Sequence, residues 1–178
     1  MNIRIVLVLL LINTASFGLR AADATVLDAI KKSGGLVLPA PGKDDIWEVE
    51  FHLRGRDLND AGLANVAALK SVVSLNLRDT QITSAGLVHL KGLTQLRRLH
   101  LERTKVDDKG IENLIGLSNL EYLNLYATKI TDKSLDGLAG LKNLRQLYLW
   151  QTDVTDDGVA KLKKALPELK IVRGIDLS

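Results

Sequence analysis

Apolar residues recur along this chain in registers of 24 residues. Leu75, Leu99, Leu123 and Leu147 form one, and Phe51 extends it backward. Leu53, Leu77, Leu101, Leu125 and Leu149 form a second, and Leu58, Ile82, Val106, Ile130 and Val154 a third. A fourth runs Leu69, Leu93, Leu117, Leu141 and slips by one residue at Leu166. A polar column, Thr80, Thr104, Thr128 and Thr152, keeps the same spacing. Coincident registers of this length are the signature of an internal repeat, and a repeat array folds as a stack of similar units.

Within each unit the hydrophobic period changes. The alternation in Leu75-Asn76-Leu77 predicts a short strand with one buried face. Helix-start signals follow at Asn59-Asp60, Thr83-Ser84, Asp107-Asp108, Thr131-Asp132 and Thr155-Asp156, whose side chains accept bonds from free N–H groups of a first helical turn. Leucines then recur every third residue, as in Leu87, Leu90 and Leu93, which predicts one buried face of a short helix. Each unit thus reads as strand, turn, helix and return. No single unit buries its own leucines. Stacking sets the strands side by side at about 4.8 Å, with the wider helical layer outside and the sheet on the inner side of the curve. The threonine hydroxyls are expected to satisfy turn groups of neighbouring coils. Ser134, standing where other units have Gly86, Gly110 and Gly158, is expected to be a neutral change.

The ends differ from the body. Residues 25–32 predict an amphipathic helix ending at Ser33-Gly34-Gly35, and Leu36-Val37-Leu38 a strand before the turn-forming Pro39-Ala40-Pro41-Gly42. Together they read as an N-terminal cap. Ala165-Leu166-Pro167 breaks the register at the other end, and residues 169–172 predict a terminal edge strand that Lys170 and Arg173 protect from pairing. In the first unit Arg56 occupies the threonine column.

Residues 1–21 read as a signal peptide: Arg4, an apolar run over residues 5–12, then small residues, with cleavage after Ala21 or Ala24. The run is far short of the ~20 residues that span a bilayer, so no membrane span is expected after cleavage. The resulting division is residues 1–21 signal peptide, 22–47 cap, 48–172 five repeats and 173–178 a tail. Cutting after Ala21 removes Arg4 and Arg20, leaving 22 basic residues against 21 acidic, so net charge does not argue for nucleic acid. The chain has no cysteine, which excludes disulfides, thiolate metal sites and covalent haem. These features point to an exported protein, periplasmic or extracellular, without cofactor or metal.

The units LNLRDTQITSAGLVHLKGLTQL, LHLERTKVDDKGIENLIGLSNL, LNLYATKITDKSLDGLAGLKNL and LYLWQTDVTDDGVAKLKKALPEL resemble leucine-rich repeats. They look like the type found in exported bacterial proteins, similar to ribonuclease-inhibitor and F-box-associated repeats. The resemblance covers roughly residues 48–172. It implies an α/β fold, a leucine-rich repeat solenoid: a right-handed β/α superhelix forming a short horseshoe with a parallel inner sheet and outer helices. It also implies a protein-interaction role, with no shared catalytic residues to carry over.

Strand residues between the leucines point into the concave face and stack in columns. The pattern gives Glu50, Ser74, Arg98, Tyr122, Gln146 as one column, then His52, Asn76, His100, Asn124, Tyr148, then Arg54, Arg78, Glu102, Tyr126, Trp150. Tyr122, Tyr126, Tyr148 and Trp150 are four of the chain's seven aromatics, gathered on a face expected to be open. With Arg78, Arg98, His100 and Glu102 they are the candidate partner-binding residues. The functional reading is a platform for a peptide or protein loop, or for a sugar ring. The structural reading is cross-strand stacking that stabilises the sheet. His52 and His100 fall too far apart for one metal ion, and Gly-x-Ser-x-Gly, phosphate-loop and His-Glu-x-x-His signatures are absent. A monomeric, non-enzymatic module that binds protein or peptide is the leading expectation. Envelope polysaccharide or peptidoglycan is the alternative ligand, and self-association through the C-terminal edge the alternative role.

Overall fold

A computed structural model describes residues 21–69 and 71–174. The proposed signal peptide lies outside them, except for Ala21. Among the described residues seven strands form a single sheet in chain order: β1 (Leu36–Ala40), β2 (Lys43–Glu50), β3 (Val72–Asn76), β4 (Arg98–His100), β5 (Tyr122–Asn124), β6 (Gln146–Tyr148) and β7 (Lys170–Val172). β1 and β2 are an antiparallel hairpin, and every later pairing is parallel. Helices lie between consecutive strands: α2 (Asp60–Ala67), a 3-10 turn at Gly86–Leu90, α3 (Asp108–Ile111), α4 (Asp132–Leu138) and α5 (Asp156–Ala165). Among the described residues no helix is long and apolar enough to cross a membrane.

The leucine registers become one continuous core. Leu75 and Leu77, Leu99 and Leu101, Leu123 and Leu125, and Leu147 and Leu149 are all buried against the leucines of the outer layer. Each is worth roughly 1.5–3 kcal/mol of transfer free energy, summed along the array because every coil buries its neighbours' faces. The outer layer is not uniformly α-helical, and the reason is legible in the spacing. Leu87, Leu90, Leu93 and Leu96 keep a strict period of three, which matches a 3-10 helix and its following turns better than the α-helical 3.6. The N–H groups of Leu93 and Leu96 donate to carbonyls three residues back. Where the period lengthens, at Leu162 and Leu166, the chain makes its longest repeat helix, α5. The one-residue slip at Leu166 is the extra residue that helix needs.

The first repeat departs from the 24-residue frame. β2 pairs with β3 as Val49 with Leu75 and Glu50 with Asn76, and the Phe51 N–H donates to the Asn76 carbonyl. Phe51 therefore occupies the place of Leu77, and Leu53, expected there, is 65% exposed. Glu48 and Glu50, not Glu50 and His52, stand in the first two concave columns. By Leu58 the frame is restored, because Leu58 accepts from Gln81 as Ile82 does from Lys105. The turn between Phe51 and Leu58 holds the two extra residues, and the cap docks against it. α1 (Ala21–Lys32) buries Ile30 beside Phe51 and ends at Gly34, whose φ of +80° and contact with the Arg54 carbonyl leave no room for a side chain.

Two polar ladders tie the coils together. The first runs through the threonine turns, and its bonds between coils are made by the backbone, because each threonine hydroxyl donates within its own coil rather than to a neighbour as expected. Thr80 donates to Leu77 at 2.6 Å, Thr104 to Leu101 at 2.7 Å, Thr128 to Leu125 at 2.6 Å and Thr152 to Leu149 at 2.6 Å. The residue before each threonine, Asp79, Arg103, Ala127 or Gln151, has a φ between +54° and +60°. That left-handed step costs roughly 1 kcal/mol at a non-glycine residue. It turns the N–H groups of Asp79, Arg103 and Ala127 toward carbonyls of the next coil, at 2.9, 2.9 and 3.0 Å.

The second ladder runs between coils. Asp60 accepts the Thr83 N–H and hydroxyl at 2.8 and 2.6 Å, and Asp132 does the same for Thr155. Asp108 accepts both from Thr131 and also the Ser134 hydroxyl, at 2.5 Å. Ser134 is thus a bonded, buried group rather than a neutral replacement. Elsewhere its position is glycine because a ladder side chain fills the space: a Cβ at Gly158 would collide with the Asp132 carboxylate. Between Ser84 and Asp107 donor and acceptor are exchanged. The Ser84 hydroxyl donates to Asp107 at 2.5 Å, and the Asp107 N–H returns a bond to Ser84 at 2.9 Å.

At the C-terminal end β7 forms as expected on the edge of the sheet. Arg173, assigned to the tail, bonds the Val154 carbonyl at 2.7 Å and pairs with Asp156.

Candidate functional site

The concave columns of the later repeats are set by parallel pairing: Ser74, Arg98, Tyr122, Gln146 and Lys170 in one, and Asn76, His100, Asn124, Tyr148 and Val172 in the next. Not all of these side chains face outward for a ligand. Asn76 and Asn124 close their own turns, accepting the N–H groups of Arg78 at 3.1 Å and Tyr126 at 3.0 Å.

The aromatic residues meet in two tracks. In the first, His100 lies 4.7 Å from the Tyr122 ring centre, and Tyr122 lies 5.3 Å from Tyr148 with the rings tilted by 44°. In the second, Tyr126 and Trp150 stack at 5.3 Å and 25°. These are the offset and tilted arrangements aromatic pairs prefer. Each track carries a guanidinium: Arg98 sits 5.3 Å from the ring centre of Tyr122, the middle ring of the first, and Arg103 5.3 Å from that of Tyr126 in the second. Stacking therefore holds the sheet's rings to one another, yet it leaves an open outer side, since Trp150 remains 41% exposed. Burial pushes the Tyr122 phenol up from its ordinary value, with Glu102 and Tyr148 acting in the same sense against its hydrogen bond with Asn124. Tyr122 is a neutral hydroxyl in this face.

Glu102 corrects the expected site. It is only 6% exposed, so it is not an open contact for a partner. One carboxylate oxygen bonds His100 Nδ1 at 2.9 Å, and the other is buried without a hydrogen-bond partner among the described residues. Its position in the third column placed it on the right face but said nothing of depth. Arg78 is exposed and turns to Asp79 at 3.3 Å. Arg103 was not singled out by the column pattern, because it lies one residue beyond the three strand columns, at the left-handed turn. The signal for it was there: Asp79 and Arg103 are 24 residues apart with opposite charge, and they pair at 3.4 Å. Among the described residues no three His, Asp or Glu side chains converge in a way that would hold a metal ion.

Comparison with known proteins concerns the fold. Residues 68–90 match the leucine-rich repeat family model. No curated protein is a significant match. Among solved structures the chain resembles internalin C2 of Listeria monocytogenes, with 28% identity and a TM-score of 0.52 over 64% of this chain. The chain spans about half of that protein, 49% of its length. It also resembles the leucine-rich repeat ectodomain of the receptor kinase SOBIR1 of Arabidopsis thaliana, at 16% identity with a TM-score of 0.56, over 86% of this chain and 92% of that one. The second likeness is one of fold alone. Parallel strands, buried leucine registers and these neighbours together make the architecture an α/β leucine-rich repeat solenoid.

Proposed function

We propose that this chain is an exported, non-enzymatic module that binds a protein or peptide through the concave face of its last repeats. The observation that carries the reading is the pair of aromatic tracks flanked by Arg98 and Arg103, with Trp150 left open after stacking on Tyr126. Large rigid side chains beside arginine are the composition that dominates protein-binding surfaces. Tyr122, Tyr126, Tyr148, Trp150, Arg78, Arg98 and His100 form the proposed contact surface, with Glu102 holding His100 from below. Export rests on residues 1–21, and a periplasmic or extracellular setting follows from it.

A carbohydrate ligand is the second reading, favoured by one feature: the Tyr126–Trp150 stack offers a flat, exposed ring surface of the sort sugar rings lie on. The test is a pull-down from an extract of the native host, comparing wild type with a Tyr126→Ala/Tyr148→Ala/Trp150→Ala variant. The expected result is a protein retained by wild type and lost by the variant. Equal recovery of every partner by both proteins moves the site off this face.

A further inference from the structure

The concave face is electrically divided, and the division indicates what kind of segment it grips. Toward the cap, β2 contributes Glu48 and Glu50 to the inner columns. Over β4 and the turn after it stand Arg98, 5.3 Å from the Tyr122 ring centre, and Arg103, which lies 5.3 Å from that of Tyr126 and also hydrogen-bonds the Tyr126 side chain. A guanidinium has five N–H donors, so one held beside a ring keeps donors that can grip a carboxylate. Among the described residues Arg98 has no carboxylate partner. Arg103 shares the single carboxylate of Asp79 with Arg78, at 3.4 and 3.3 Å. The other acid of this stretch, Glu102, is buried under His100. The exposed charge beside the aromatic tracks is therefore positive and incompletely matched.

Resting on the concave-face reading above, we propose that repeats three to five recognise an extended acidic segment of a protein partner. Its carboxylates are gripped by Arg98 and Arg103, and an aromatic or large aliphatic side chain lies against Tyr148 and Trp150. The spacing is set by the sheet. β4 and β6 are two strand intervals apart, about 10 Å, which an extended chain crosses in about three residues. A segment lying across the strands thus presents its carboxylate and its apolar residue about three positions apart. Its opposite end, over β2, meets Glu48 and Glu50 and is favoured if basic, which fixes the direction in which it lies. A polyanionic glycan fits less well. It carries charge along its whole length, whereas Arg98 and Arg103 both stand on the β4 side of the face.

The test uses the full chain with three probes: a synthetic dodecapeptide in which glutamate and phenylalanine stand three residues apart, the same peptide with lysine for glutamate, and an oligogalacturonate. Binding is followed by fluorescence anisotropy for wild type, Arg98→Gln/Arg103→Gln and Tyr148→Ala/Trp150→Ala, each checked for a wild-type circular-dichroism melt. The glutamate peptide is expected to bind at least about tenfold more tightly than the lysine peptide, as charge-assisted arginine bonds require. It is also expected to weaken about tenfold in the arginine variant, and to weaken as salt rises from about 50 to about 500 mM. Equal or tighter binding of the lysine peptide, no change in the arginine variant, or binding of neither peptide overturns the acidic-segment inference. Preference for the oligogalacturonate overturns it as well. The broader reading fails separately: a lysine peptide lost on Tyr148→Ala/Trp150→Ala leaves the face in use with the wrong charge assigned. Equal recovery of all partners in the pull-down removes the face itself.

Discussion

Two rows of polar side chains run the length of this solenoid on the same period, and they use their hydrogen-bonding groups in opposite ways. In the row at the start of the outer layer each group is matched to the next coil: Asp60 to Thr83, Ser84 to Asp107, Asp108 to Thr131 and Ser134, Asp132 to Thr155. In the concave columns the rings touch each other, but Arg98, beside Tyr122, has no carboxylate partner among the described residues, and Trp150 is left partly open. A row that is satisfied internally contributes to folding. A row left partly unsatisfied on a rigid sheet has its groups available to something else.

The largest effect should come from breaking the satisfied row. Asp108→Ala strands the N–H and hydroxyl of Thr131 and the hydroxyl of Ser134, at an expected cost of about 2–3 kcal/mol. In a chain of this size that lowers Tm by about 5–10 °C in a thermal melt. Trp150→Ala, measured the same way, should cost no more than about 1 kcal/mol, the worth of one stacked pair. If the two losses were equal, the aromatic row would be structural too.

The exchanged pair sharpens the comparison at intermediate magnitude. Ser84→Asp sets two carboxylates face to face, and Asp107→Thr sets two hydroxyls together. Each single change is expected to destabilise by about 1–2 kcal/mol, and the double variant to recover to within about 0.5 kcal/mol of wild type. Additive losses in denaturant unfolding would show that the pair is not a unit.

The smallest effect is set by pH. The Ser84 hydroxyl holds Asp107 below its ordinary 3.8. For Asp108 burial pushes upward, but the hydroxyl of Ser134 and the N–H and hydroxyl of Thr131 outweigh it, so Asp108 is also lowered. Thr155 lowers Asp132. A depressed carboxylate contributes stability that is fully present above its unfolded value and lost as pH falls through the folded one. Tm should therefore hold level down to about pH 4 and fall below it. The fall should be shallower in Asp108→Asn, and no dependence there would remove Asp108 from the acid response.

Much of this architecture was legible in the spacing of apolar residues. Leu75 to Leu149 are buried where the registers put them, and the first cap strand and the terminal strand lie where turn residues and register breaks indicated, whereas the second strand of the cap hairpin, β2, was not legible. The first repeat departs from the spacing for a physical reason. Leu53 and Leu58 both fit a 24-residue frame, yet the cap docks between them and inserts two residues, so Phe51 takes the buried place and Leu53 is expelled. Spacing locates columns but not depth, which is why Glu102 looked like Arg98 from the sequence. It also stops at the end of the strand, which hid Arg103 at its left-handed turn. The choice of bonding partner was the least legible. A threonine reaching back to its own coil and one reaching to the next are the same letter.

The donor–acceptor exchange in the outer ladder also has a consequence for how such a chain can be rearranged. Each coil ends its contact row with one chemical kind and demands its complement at the start of the coil that follows. Excising residues 83–106 would bring Asp60 against Asp107, two carboxylates with only the Asp107 N–H to donate between them. Excising residues 83–130 would bring Asp60 against Thr131, a pairing already present elsewhere in the stack. The second and third coils are thus a grammatical unit: they can be lost, copied or transplanted together, and neither reads correctly without the other.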